Sequence, residues 1–531
     1  MITVALAAML VVPVAGSASN GNGNNQNGDN GKNRGKEKAF VPDNLLAQAT
    51  ANPLKSFDVI VQARGDKSSG DMQGDVQNEN GKVKHKFSTV EGVQASITGL
   101  QLLKLASNSQ ISSITRNVTV RNTAYQDATM WKDSTDLAIL ANAFDPLTGV
   151  VTGPAPQAPA IAVVDSGVEP SAAFGGRLIA SVTLCSLCTD TAADAQGHGT
   201  MVAHIAAGTG KYSGGAENAP IVSIRTSNAD GQSKTSDVVA AADWILAHAK
   251  EYNIRVANFS MAGASDTSIR VDPLDRAVES LWLNGIVVVA AAGNHGVQDT
   301  AVSMSYAPGN DPFVITVGAL DQNVTSDPSD DTLAPWSAFG KTMDGFTKPD
   351  LSAPGRYMVA RVPMGSTLAR TVPDRILEPG YMWMSGTSFS TPVVSGAAAQ
   401  ILARHPEFTP DQVKGAMMLT ANYLPLVTGF NGGVGEIDAG AAATVAAPPN
   451  PNIGLYQFVS KDPNTSQDTF DAASWAAYMQ TGASWAQASW SEASWAEASW
   501  SSASWAAASW SSTVWSSNLD ALMASMATLA E

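Results

Sequence analysis

The chain has 531 residues, enough for more than one ordinary domain, and its 44% hydrophobic content excludes wholesale disorder. Acids outnumber bases 47 to 31, and the net charge of −16 argues against a nucleic-acid partner, which needs a basic surface. An acidic, soluble exoprotein fits better, and past the N-terminus no apolar run reaches the ~18 residues of a membrane span.

Residues 1–18, "MITVALAAMLVVPVAGSA", hold an apolar core from Ile2 to Val14, then small residues suited to cleavage after Ala18. They read as a secretory signal, although no Lys or Arg precedes the core. Residues 19–38 are Asn/Gly-rich and read as a linker. From 40 to 122 a small β-rich unit with one or two helices is expected. Its strands are "FDVIVQA" (57–63) and "ISSITRNVTVR" (111–121), and "TGLQLLKLAS" (98–107) has helical spacing.

From 125 to 447 long strands and helices alternate. "APAIAVVDSGV" (158–168), "IRVANFSMAG" (254–263), "NGIVVVAAAGN" (284–294) and "FVITVGAL" (313–320) are apolar on both faces, as parallel strands covered by helices are. "SDVVAAADWILAHAKEYN" (236–253) is an amphipathic helix that Ser236 or Asp237 can cap. "TPDQVKGAMMLTA" (409–421) is a second capped helix. The stretch predicts one large α/β domain.

Residues 448–470 read as a linker, 471–516 as Ser-Trp repeats with a period of five, and 517–531 as a short helix. Eight of the thirteen tryptophans lie at or after Trp475. A period of five matches neither a helix face nor a strand face. The tail therefore reads as disorder or weak adhesion to sugar or cell-wall polymer, ahead of a pentapeptide-repeat coil. The only two cysteines, Cys185 and Cys188, exclude a disulfide framework and leave a local disulfide or two free thiols.

Three residues that carry chemistry stand where strands end or helices begin: Asp165 in "VVDSGV", His198 in "GHGTMVAH" and Ser388 in "GTSFSTP". Each alone is ordinary, as a turn residue, a helix-start residue and a cap. Together they are the parts of an activated nucleophile. A serine hydroxyl needs a base to take its proton, imidazole serves near neutral pH, and a carboxylate fixes the imidazole's tautomer.

The order Asp…His…Ser, each in its own glycine-rich setting, resembles the subtilisin-like serine proteases, the subtilases. "AAAGN", ending at Asn294, is similar to that family's oxyanion motif, and the likeness runs from about 158 to 425. The resemblance implies a mostly parallel sheet flanked by helices, preceded by a small α+β propeptide domain. It implies Asp165, His198 and Ser388 as catalytic, and Asn294 with the Ser388 amide as oxyanion donors. Ser260, Met261 and Ala262 would line the substrate groove, and Thr387, Ser390 and Thr391 would hold the nucleophile turn by satisfying orphan amides. The 40–122 unit resembles an inhibitory propeptide, cut near 121–128. Polypeptides are the implied substrates, and no cofactor is required for the chemistry. Structural calcium is common in the family; "DPSDDT" (327–332) is the candidate cluster, with an exposed loop as the plainer reading.

Departures from the family pattern are Met201 and His204 in the histidine motif, Phe389 after the nucleophile, and Ala262 where Gly is usual. The expected product is a secreted or cell-surface serine endopeptidase made as a precursor. The alternative is a non-catalytic surface-display protein on the same fold. An esterase would show Gly-x-Ser-x-Gly and the order Ser…Asp…His, and neither is present.

Overall fold

The computed structural model describes residues 38–65, 67–117, 130–144, 151–263, 266–462 and 467–480. The proposed signal, most of the 19–38 linker, the cut region, the repeats from 481 on and the C-terminal helix lie outside them.

Residues 38–117 build their own core. Four antiparallel strands lie in the order Lys82–Phe87, Gly92–Thr98, Ser56–Ala63 and Ile111–Arg116. Alternation sets the faces: Phe57, Val59 and Val61 point inward and pack with Leu102, Leu105 and Ile114. Three helices accompany the sheet rather than the expected one or two. The third, Gly99–Ala106, opens on a Thr98–Gln101 capping box.

The large domain is a twisted eight-stranded sheet. Seven strands run in the order Thr332–Leu333, Ile315–Asp321, Val287–Ala291, Ile254–Phe259, Ala160–Asp165, Ile221–Arg225 and Leu178–Thr183, with Leu351–Pro354 also pairing Ile315–Asp321. All pairings are parallel except that of Thr332–Leu333. The central strands are buried throughout, which explains their unbroken apolar runs. Helix Thr235–Tyr252 matches expectation, but neither Ser236 nor Asp237 caps it. Asp237 instead accepts from the amide and hydroxyl of Ser186 in the Cys185–Cys188 loop, where the two cysteines form a disulfide. Helix Pro410–Thr420 carries the expected capping box, Thr409 with Gln412.

A buried ion cluster ties this helix to the sheet. The fully buried Lys414 ammonium donates to the carbonyls of Pro312, Phe313 and Val314 and pairs with Asp350. Lys348 pairs with the other Asp350 oxygen. Burial pushes the Asp350 carboxyl up, but the two ammonium groups outweigh it and hold the carboxyl below its usual range.

The segment read as a linker at 448–470 is folded. Its 3-10 turn Ile453–Phe458 and the pair Val459–Lys461 and Asp468–Phe470 lie against the domain, and helix Ala472–Gln480 follows. The apolar residues spaced through it are the reason. Leu455, Phe470 and Trp475 are buried in the main core, and the Trp475 ring stacks on Phe346 at 5.0 Å. Asn452 and Tyr456 both donate to Asp411. The first Ser-Trp unit is thus part of the fold. Trp475→Ala, made on a Ser388→Ala background to prevent autolysis, is expected to cost about 3–5 kcal/mol in urea unfolding; an unchanged midpoint would show that the segment is not integral.

In "DPSDDT" the carboxylates serve separate ends. Asp327 caps Ser329, Asp330 accepts from Thr325, and Asp331 is buried beside Glu436. Among the described residues no group of three His, Cys, Asp or Glu is arranged to hold a metal ion. Burial, with the charge of Glu436 added, pushes Asp331 up to about 10, and burial pushes Glu436 up to about 8. A carboxyl raised in the folded state stabilises it below the unfolded pKa, and this stability is lost as pH rises through the folded values. The melting temperature should therefore fall between pH 6 and pH 9, and fall less in Glu436→Gln; parallel curves would refute the assignment.

Candidate active site

The parallel topology gathers the reactive groups at the carboxyl edge of the sheet. Asp165 is the last residue of its strand and is buried. His198 opens helix Ala-rich His198–Ala207, and Ser388 lies in the first turn of Thr387–Arg404, the serine helix. His198 Nδ1 lies 2.8 and 3.0 Å from the two Asp165 carboxylate oxygens, which leaves Nε2 for other work. Burial opposes the imidazolium, but the charge and hydrogen bond of Asp165, with the charge of Asp194, raise His198 above its ordinary value.

Asp194, which the motif pattern does not single out, joins the turns of this pair. It is buried and accepts from Ser166 Oγ, Gly197 N, Thr200 N and Thr200 Oγ1 at 2.6–2.9 Å. Ser166 follows Asp165, whereas Gly197 and Thr200 flank His198, so one carboxylate joins both turns. Its signal was a short-range one, an acid four residues before the histidine in "DAQGHG". Gly199 lets the two turns touch: a Cβ there would lie 2.2 Å from the Gly167 carbonyl oxygen.

Ser388 Oγ donates to the Ser260 carbonyl at 3.0 Å, and Ser260 Oγ donates back to the Ser388 carbonyl at 2.8 Å. The ring of the next residue, Phe389, lies 5.2 Å from that of His198. This places the serine helix beside the imidazole while the Ser388 hydroxyl rests on Ser260. Asn294 has a defined orientation, because Thr387 donates from its amide and hydroxyl to Oδ1, at 2.8 and 3.0 Å. The Nδ2 group is thereby presented outward as a donor. The Ser388 amide lies in the first helical turn, where no intrahelical carbonyl reaches it.

The other hydroxyls of "GTSFSTP" behave differently from expectation. Thr387 does accept an amide, but from Gly293 of the asparagine loop. Thr391 donates to the Thr387 carbonyl, and Ser390 Oγ has no partner, so neither satisfies an orphan amide. Both are buried. Met261 is half-buried and Ala262 exposed beside Ser260, at the open end of strand Ile254–Phe259. His204 is a packed residue, fully buried between Phe174 and Tyr381, and burial with the charge of Arg361 pushes it down to about 3.

The model of the Subtilase family matches residues 157–441, just over half the chain. The chain belongs to the subtilase family. It is 34% identical over 264 residues to serine protease AprX of Bacillus subtilis (strain 168), covering 48% of this chain and 59% of that protein. It is 31% identical over 338 residues to the extracellular serine proteinase of Thermus sp. (strain Rt41A), covering 63% and 72%. This subtilase thus spans about three fifths of AprX's length. A cold-adapted subtilisin-like serine proteinase of solved structure matches with a TM-score of 0.40 and 28% identity, over 56% of this chain and 89% of that one. Among the described residues no helix of this subtilase is long and apolar enough to cross a membrane.

Because the Gly199 contact is backbone to backbone, Gly199→Ala must separate the Asp165 and His198 turns. The expected result is a lower melting temperature and a loss of turnover of at least about 10²-fold, as an ~1 Å misplacement can cause. Wild-type turnover in this variant would show that the close approach is not required.

Proposed function

We propose that this subtilase is a secreted serine endopeptidase that cuts peptide bonds through an acyl-enzyme on Ser388. The observation that carries the proposal is the joint geometry of the His198–Asp165 pair and the Thr387-oriented Asn294 on either side of the serine helix start. Substrate binding would draw the Ser388 hydroxyl off the Ser260 carbonyl and toward His198 Nε2. His198 takes the proton as Oγ attacks the carbonyl carbon, then returns it to the leaving amine. Asp165 holds the tautomer and steadies the imidazolium. Asn294 Nδ2 and the Ser388 amide receive the oxyanion, helped by the positive end of the serine helix. The acyl half of the peptide lies along Ser260–Ala262 as an added strand.

The 38–117 unit is proposed as the inhibitory propeptide, released by self-cleavage near 121–128. A separate core with its own sheet supports that role. Secretion is supported by the Cys185–Cys188 disulfide, which persists in oxidising compartments, and by the extracellular relative from Thermus. Calcium is proposed only as a structural ion, without an assigned site, and the repeats beyond 480 as a surface contact.

A fluorophosphonate probe on the full chain tests the reading. Wild type should label and process itself, Ser388→Ala should do neither, and Asn294→Ala should lose about 10²–10³ in kcat. A folded, processed wild type that does not label would favour the non-catalytic display reading.

A further inference from the structure

Residues 356–384, "RYMVARVPMGSTLARTVPDRILEPGYMWM", reverse the charge of the chain around them. They hold four arginines, no lysine and two acids, a net of +2 within a chain of −16. They fold as a three-stranded antiparallel sheet of Met358–Arg361, Tyr381–Met384 and Ile376–Glu378. The strand Tyr381–Met384 runs directly into Ser385, Gly386 and the serine helix.

The surface of this sheet carries a ladder of cations and rings. The Arg375 guanidinium lies 4.8 Å over the Trp383 ring. Trp383 meets Tyr357 edge to face at 5.2 Å, and Arg356 lies 4.9 Å over Tyr357. Tyr357 is 48% exposed, yet its φ is +57°, a region that bulky residues rarely enter. The Tyr357 amide donates to Ser385 Oγ at 2.9 Å, which fastens the ladder to the nucleophile loop. Tyr357 is thus an exposed ring held at a backbone cost, while the Trp383 ring beside it is half-buried. Arg356 is neutralised by Asp321. Among the described residues the Arg375 guanidinium meets the Trp383 ring and the Met384 sulfur, and no carboxylate pairs with it.

The side of the cleft follows from the proton path. His198 protonates the leaving amine, so the leaving half of a substrate lies on the imidazole's side. The same segment abuts that side: Thr367 N and Leu368 N donate to the carbonyls of Ala195 and Gln196, just before His198. The acyl half occupies the opposite side, along Ser260–Ala262.

We infer that the Arg375–Trp383–Tyr357 shelf is a specificity determinant that selects acidic residues two or three positions beyond the scissile bond. The inference rests on the peptidase reading above. Arg375 supplies the unpaired charge, and the two rings supply a flat floor that orders the guanidinium. A partly exposed charge pair is worth about a fivefold preference and weakens with salt.

The test uses internally quenched peptides, identical on the acyl side and carrying Glu, Gln or Lys at the second and third leaving-side positions. Rates are normalised to each variant's turnover of a peptide anilide that lacks leaving-side residues. Wild type should prefer Glu over Gln by about fivefold in low salt, and the preference should fade near 1 M salt. Arg375→Glu should prefer Lys, and Arg375→Gln should treat Glu and Gln alike. Equal Glu-to-Lys ratios in wild type and both variants, with the anilide still hydrolysed, overturn the shelf alone. Failure of wild type to hydrolyse the anilide overturns the peptidase reading and the shelf with it.

Discussion

One buried carboxylate holds the reactive geometry together. Asp194 takes four hydrogen bonds from residues on two different elements, and burial raises its pKa while those bonds pull it down. The Asp165 turn ends a strand and the His198 turn starts a helix, and nothing in either element alone sets the distance between them. Donors from both turns converge on Asp194, and any separation would leave a buried charge short of partners. The 2.8 Å contact of His198 with Asp165 is therefore a consequence of how Asp194 is satisfied.

The serine helix applies the same economy of polar groups. It is buried along nearly its whole length, and all its buried hydroxyls except that of Ser390 find partners inside the protein. Thr387 links the helix start to the asparagine loop at Gly293 and Asn294. Ser395 reaches Asn258, whose amide holds Ser260, so strand Ile254–Phe259 and the serine helix are joined from behind. In the hydroxyl-rich stretch around Ser388, Thr387 is the tertiary fastener, whereas Thr391 bonds within the helix. One alcohol is left at the surface of the cleft.

The C-terminal segment shows how a domain boundary can mislead. Prolines and asparagines at 446–452 break the pattern of the large domain, yet Asn452 is fully buried and bonds Asp411. The chain beyond it returns to the core through Leu455, Phe470 and Trp475. The Ser-Trp pattern begins inside the folded domain and continues past it.

From the sequence came the class of fold, because strands buried on both faces must be continuously apolar and the helices between them amphipathic. From it also came Asp165, His198 and Ser388 as candidates, because local chemistry favours such residues in glycine-bounded turns, and Asn294 through its resemblance to the family's motif. Both are short-range signals. The roles of Lys414 and Trp475 are not legible, since each is defined by a partner far away in the chain, Pro312 and Phe346, and although Asp194 stands close to His198 in sequence, its link to the Asp165 turn runs through the distant Ser166. The capping of helix Thr235–Tyr252 was misjudged for the same reason, as Asp237 turns to Ser186 instead. The shelf of Arg375, Trp383 and Tyr357 likewise exists only once antiparallel pairing brings three separate strand ends together. Periodicity and turn chemistry act over a few residues and can be read along the chain. Which buried polar group meets which partner is settled only when the whole core closes and excludes water.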